Sequence, residues 1–230
     1  MVMRILALVF CAATQLLSAQ NAPEQPGGPL QLIVTYRCPP PRRAAFRQFM
    51  LESGIQRFEH WKQDGLLRDY RFLFNWYAEV DTWEAMAVLS FPSYDKLARW
   101  KEIEHASPGG LSRDALELAL PVSSTSADLI FDGTGEGPFN RADAVYLVMP
   151  FDNADFRTLA GSTLVPQMKG LVRSGAVSSY QIFLNRYPGG KRWRGMVLIE
   201  YKDMDAFGHR QEVVYPGERE PVVADAIVGH

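Results

Sequence analysis

The stretch DYRFLFNWYAEVDTWEAMAVLSF at residues 69–91 returns 110 positions later as SYQIFLNRYPGGKRWRGMVLIEY at residues 179–201. Tyr70/Tyr180, Asn75/Asn185, Tyr77/Tyr187, Trp83/Trp193 and Met86/Met196 are identical, and Phe72/Ile182, Phe74/Leu184, Val88/Leu198, Leu89/Ile199 and Phe91/Tyr201 stay apolar. Each stretch reads as two strands joined by a turn, AEVDT in one and PGGK in the other. A repeat sets the architecture, so it is read before anything else. At the same offset residues 36–100 align with 146–210 without a gap. Twelve of those 65 pairs are identical, Tyr36/Tyr146 and Pro40/Pro150 among them. Composition alone gives about four. Farther on, ADLIF at 127–131 resembles ADAIV at 224–228 at an offset of 97, which places 13 extra residues in the first copy, around 106–118.

Both copies have the same element order. A short β-rich run, LQLIVTYR at 30–37 or AVYLVM at 144–149, comes first. A helix is expected over 41–63, entered through prolines that suit a first turn, with Phe46, Phe49, Met50, Phe58 and Trp61 on one apolar stripe. Phe156, Leu159, Leu164, Met168 and Leu171 form the matching stripe, and Pro166 is expected to kink or interrupt that helix. Gly65 and Gly175 stand where a left-handed residue ends a helix. Strands follow over 68–76 and 84–91, matched by 178–186 and 194–201. A shorter helix opens near Ser93 or Asp203, and final strands run over 127–132 and 222–228.

The order is βαββαβ, twice, and such a unit forms a four-stranded antiparallel sheet with both helices on one face. In the second strand Tyr70, Phe72 and Phe74 share one face and Arg71, Leu73, Asn75 and Tyr77 the other. In the third, Ala85, Ala87, Leu89 and Phe91 oppose Met86, Val88 and Ser90. The face without helices is still largely apolar, and two copies can cover it by turning those faces toward each other. The expected fold is therefore α+β, two ferredoxin-like βαββαβ repeats packed sheet to sheet as a dimeric α/β barrel within one chain. The expected divisions are a signal peptide over 1–19, a flexible leader over 20–29, a first repeat over 30–132, a linker over 133–142 and a second repeat over 143–230.

With that order and duplication, residues 30–228 resemble the dimeric α/β-barrel superfamily, and LVPQMKGLVRSGAVSSYQIFLN at 164–185 is similar to the helix–Pro–Gly–strand passage of EthD-like and monooxygenase-like members. NIPSNAP-like and EthD-like barrels are the nearest in pattern, and haem-binding chlorite dismutases also belong to the superfamily. The resemblance implies a barrel that stand-alone members build from two chains. Here the expected state is a monomer with a pseudo-dimeric barrel.

Lys and Arg number 24 against 26 Asp and Glu, which excludes the strong basic excess of a dedicated nucleic-acid binder. The N-terminal MVMRILALVFCAATQLLSAQ has one cation, Arg4, before an apolar run and then small residues, the pattern of a secretory signal. Its removal leaves Cys38 as the one thiol, no segment that crosses a membrane, and a secreted or periplasmic protein. The interior face offers Arg71, Asn75, Met86, Ser90, Gln181, Asn185 and Met196 as ligand-binding candidates, for a small apolar or aromatic molecule in a mostly apolar pocket between the sheets. Asn75 and Asn185 either bind that ligand or satisfy a strand end or turn. Glu200, opposite Ser90 in the repeat, is the catalytic candidate as a general base, or else a solvated carboxylate at the barrel mouth.

The leading functional reading is an exported binding or interaction module. A cofactor-independent monooxygenase or isomerase-like enzyme is the alternative, followed by a haem-binding barrel and a ligand-free structural domain. Among His60, His105, His209 and His230 no paired or HExxH spacing points to a metal, so no metal and no cofactor is expected. On the haem-binding reading His209, on the second helix of the second copy, is the candidate axial ligand.

Overall fold

A computed structural model describes residues 30–77, 82–137, 139–190, 193–210 and 222–227. The expected signal peptide and leader, and His230, lie outside these residues. The first half runs β1 (Leu30–Arg37), α1 (Arg43–Phe49), α2 (Ile55–Gln63), β2 (Asp69–Asn75), β3 (Ala85–Ser90), α3 (Tyr94–Ala106), α4 (Arg113–Leu118) and β4 (Leu120–Thr134). The second runs β5 (Val145–Phe151), α5 (Phe156–Leu159), α6 (Val165–Arg173), β6 (Val177–Asn185), β7 (Gly195–Tyr201), α7 (Met204–Gly208) and β8 (Val222–Ile227).

The eight strands close into one antiparallel barrel in the order β1-β3-β2-β8-β5-β7-β6-β4. Each half contributes a contiguous four-stranded sheet. Their faces are turned inward and their edges are hydrogen-bonded at two seams, β2 with β8 and β4 with β6. Closure leaves no unpaired sheet edge at either seam, which an open four-stranded sheet cannot achieve. Each seam also has an ion pair across the halves. Arg47 donates to Asp225 at 3.0 Å, and the Arg186 Nε donates to Asp128 at 2.6 Å.

β4 is longer than the expected 127–132, starting just after the expected insertion and ending inside the expected linker. The reason is its double duty: residues 120–128 pair with β1, and residues 127–134 with β6. The insertion itself folds as a turn at Pro108–Gly110 and as α4, whose Ala115 is fully buried in the first half's outer core.

Helix geometry repeats at the 110-residue offset. α1 continues through a π-helical turn, Met50–Gly54, into α2, and α5 continues through Ala160–Leu164 into α6. Pro166 therefore does not break its helix. It sits at the start of α6, directly after the π-turn has reset the hydrogen-bond ladder, where a missing N–H is tolerated. The first half has Gln56 there and the same π-turn, so the turn belongs to the architecture rather than to the proline. Gly65 (φ 67°) and Gly175 (φ 76°) both end these helices in the left-handed conformation.

One part of the gapless alignment needs correction. Ser90 pairs with Gln31, whereas Glu200, its equivalent in β7, pairs with Tyr146. Tyr146 therefore corresponds in space to Gln31, and Tyr36 to Phe151, because five more residues separate strand from helix in the first half. The Tyr36/Tyr146 and Pro40/Pro150 identities are not spatial equivalents. The consequence is a change of face. Tyr36 points outward into the helix-covered core, donating to the Gly109 carbonyl at 2.5 Å, while Tyr146 points into the barrel. The offset of 97 for the last strand holds, with Ala127 and Ala224 both fully buried inside the barrel.

Candidate functional site

Strand alternation decides what the barrel encloses. Ile33, Leu73, Met86, Val88, Val148, Phe183, Met196 and Leu198 point inward and fill the middle, none more than 3% exposed. Eight strands enclose a space just wide enough for side chains to occupy. The expected apolar pocket between the sheets is replaced here by a packed plug, and Met86 and Met196 belong to it. The remaining candidates are divided between the two ends of the barrel.

Asn75 and Asn185 stand at one end and do the same thing. Each side-chain amide donates to a tryptophan carbonyl across the hairpin, Trp83 at 3.0 Å and Trp193 at 2.9 Å. Each side-chain oxygen accepts from the backbone N–H of Tyr77 or Tyr187 at 3.0 Å. Both close turns. Beside Asn75, the buried Glu84 pairs with Arg43 at 2.6 Å, and burial holds its carboxyl above the usual range while Arg43 opposes that shift.

The other end holds Arg71, Gln181 and Glu200. There the in-register row on β5, β7 and β6 is Tyr146, Glu200 and Ser179. Glu200 is 2% exposed and accepts from both hydroxyls, Tyr146 on Oε1 and Ser179 on Oε2. Burial, and then the charge of Glu200, raise the Tyr146 hydroxyl above the ordinary tyrosine range, so it remains a neutral donor. The Arg141 Nε lies 3.6 Å from Oε1, and an Arg71 terminal nitrogen 4.0 Å from Oε2. Arg71 also donates to Gln181 at 2.8 Å, and these two residues occupy equivalent positions in the halves. The equivalent row on β1, β3 and β2 is Gln31, Ser90 and Asp69, in which Gln31 donates to Ser90 at 3.0 Å.

Outside this row is a cavity of about 160 Å³, lined among the described residues by Glu59, Lys62, Tyr70, Arg71, Phe72, Arg141, Ala226 and Ile227. Both arginines that face Glu200 form part of its wall. The cavity's volume is that of one ring, in a space open to solvent and lined by charged as well as apolar side chains. The Arg71 Nε is buried and has no hydrogen-bond partner among the described residues, although a guanidinium has five donors to satisfy.

Arg71, Gln181 and Glu200 are thus brought together, Ser90 stands at the same end bonded to Gln31, and Asn75 and Asn185 are held apart from them by the plug. Sequence reasoning missed Tyr146, Ser179, Arg141, Lys62 and Glu59. AVYLVM is apolar on both faces, so its alternation could not show that Tyr146 points inward, and the false pairing with Tyr36 hid it further. Arg141 fell in an expected linker.

Among the described residues no histidine is placed to hold a haem. His209 ends α7 with its side chain 81% exposed and its Nδ1 2.9 Å from the Asp205 carbonyl of its own helix. His60 and His105 are exposed as well. Among the described residues no group of three or more His, Cys, Asp or Glu could hold a metal ion, and no helix is long and apolar enough to cross a membrane.

No protein-family model matches the sequence, and no curated protein matches it. Solved structures do. The chain is similar to a protein provisionally named a monooxygenase from Fusobacterium nucleatum, with TM-score 0.55 and 12% identity over 88% of this chain and 94% of that one. It is also similar to an anthrone oxidase-like protein, with TM-score 0.51 and 11% identity over 86% and 90%. A haem-binding protein from Thermus thermophilus gives TM-score 0.50 and 14% identity over 87% and 91%. Identities this low establish the fold alone. Element order, barrel closure and these likenesses agree: the chain is a dimeric α/β barrel, with both halves supplied by one polypeptide.

Proposed function

We propose that this protein is a small-molecule-binding barrel whose ligand enters at the charged end, against Arg71 and Arg141. The observation that carries this reading is that Arg71 and Arg141 share one cavity wall while the carboxylate they face, Glu200, takes its hydrogen bonds from Tyr146 and Ser179 instead. A guanidinium has five donors, and a ligand oxygen in the cavity would accept from those on its wall. Tyr70, Phe72, Ala226 and Ile227 offer the apolar surface for a ring. The site needs both halves, since Arg71 comes from the first and Glu200, Tyr146 and Ser179 from the second. A single chain is therefore the functional unit. The N-terminal signal pattern supports export to the periplasm or the outside of the cell, which N-terminal sequencing of the mature protein tests.

Calorimetric titration with acetophenone and benzoate, each one ring with an oxygen acceptor, tests the site. At least one should bind saturably, and Arg71→Met should weaken that binding about tenfold or more, the effect of losing a charge-assisted hydrogen bond. Binding of neither compound, or equal binding by the variant, would contradict the reading.

A second reading is favoured by Glu200. A buried carboxylate directly behind two ligand-facing guanidinium groups can accept a proton from a bound phenol or ketone, the first step of a cofactor-independent monooxygenase or isomerase. Likeness to proteins named as a monooxygenase and as anthrone oxidase-like agrees with it. Oxygen uptake or substrate isomerisation that disappears in Glu200→Gln is the expected result, and turnover unchanged in that variant would rule Glu200 out as the base.

A further inference from the structure

Resting on the proposed binding site, a census of charge around the cavity identifies what kind of acceptor the ligand presents. Three cations line the space: Lys62, Arg71 and Arg141. Each is already answered by a carboxylate. Lys62 lies 3.0 Å from Asp69, and Arg71 and Arg141 both face Glu200 at 4.0 and 3.6 Å. A third carboxylate, Glu59, lines the cavity itself and accepts from the Tyr70 hydroxyl at 3.0 Å. Three positive and three negative groups therefore surround the space, and the described residues leave no cation in excess.

Charge and hydrogen-bonding capacity are separate quantities here. Glu200 takes its two short hydrogen bonds from Tyr146 and Ser179, not from the arginines. It offsets the guanidinium charge from a distance without occupying the arginines' N–H donors. A second anion placed against Arg71 would stand close to Glu200 and Glu59 in a partly desolvated space, where like charges repel strongly. A neutral carbonyl would accept the same hydrogen bonds without that repulsion.

We infer that Glu200 is a specificity-determining residue that makes the Arg71–Arg141 mouth select a neutral, one-ring carbonyl compound and reject carboxylates of the same size. Selectivity of this type comes from a built-in repulsive element as much as from attraction. The equivalent position in the other half, Ser90, has no charge, so the device exists once.

Three probes of similar size decide the matter: acetophenone, benzoate and ethylbenzene, titrated into the full chain and into Glu200→Gln. In the natural chain acetophenone should bind at least about tenfold more tightly than benzoate. Ethylbenzene, without an acceptor, should bind more weakly than acetophenone. Glu200→Gln should tighten benzoate about tenfold and move acetophenone by less than about twofold. Benzoate binding as tightly as acetophenone in the natural chain, or unaltered by Glu200→Gln, overturns the inference and leaves the binding site standing. Binding of none of the three, or ethylbenzene equal to acetophenone, overturns the binding site itself. If circular dichroism shows that Glu200→Gln does not fold, Glu59→Gln on the cavity wall replaces it. Benzoate must then tighten there, and unchanged benzoate affinity contradicts the inference.

Discussion

The two ends of this barrel were built from the same repeated unit and differ in what the repeat kept. At one end Asn75 and Asn185 are identical and bond identically, each closing a hairpin through a tryptophan carbonyl and a tyrosine N–H. At the other end the same three-strand row reads Gln31, Ser90, Asp69 in the first half and Tyr146, Glu200, Ser179 in the second. Symmetric residues serve what both halves need, a turn and a strand end. Asymmetric ones build a feature that exists once, a buried carboxylate behind two arginines. Between the ends is a plug of apolar side chains that separates the two jobs. In this chain the matching asparagines close turns and the mismatched row builds the candidate site. Mismatch alone does not mark a site: Glu84, opposite Arg194 in the repeat, pairs with Arg43 at the asparagine end.

The sharpest way to break the comparison is to remove the plug. Phe183→Ala deletes a fully buried ring and should cost about 3–5 kcal/mol in chemical denaturation, the usual penalty for a large-to-small change in a core. A loss far below that would mean the middle of the barrel is not packed. Next come Asn75→Ala and Asn185→Ala. Each should lower stability by about 1–3 kcal/mol through unsatisfied turn groups and leave ligand affinity unchanged. If either weakened binding at the far end, the two ends would not be independent.

The ion pair beside Asn75 sharpens the same point through pH. Burial raises the Glu84 carboxyl above its unfolded value, so the folded state favours its protonated form. The stability it contributes is present below the unfolded pKa and is lost as pH climbs toward the raised folded one. The stability of Glu84→Gln relative to the natural chain should therefore rise between pH 4 and pH 7 in urea titrations, and a flat difference would deny the shift. The smallest effect belongs to the uncharged row: Ser90→Ala should change stability by about 1 kcal/mol or less and binding not at all.

Much of this architecture was legible in the sequence because period and parity are local properties. The alternation of Arg71, Leu73 and Asn75 against Tyr70, Phe72 and Phe74 put the right side chains inside before any contact was known. The offset of 97 for the last strand located the inserted helix. Three features were not legible. Five extra residues before α1 are invisible when Tyr36 and Tyr146 happen to match, so the two tyrosines were paired although they occupy opposite faces. The fill of the interior depends on how side chains from opposite strands meet, which no single strand reveals. The distinction between Asn75 and Arg71, both inward and both polar, depends on which end of the strand each occupies and what waits there to bond with it.

Side-chain NMR reads both ends of the barrel in one titration. With acetophenone added to the natural chain, the Arg71 and Arg141 Nε–H signals and the Gln181 amide should shift saturably. The Asn75 and Asn185 side-chain amides should stay where they are. Shifts centred on the two asparagines, or none at either arginine at saturating ligand, would contradict the division of labour between a folding end and a binding end.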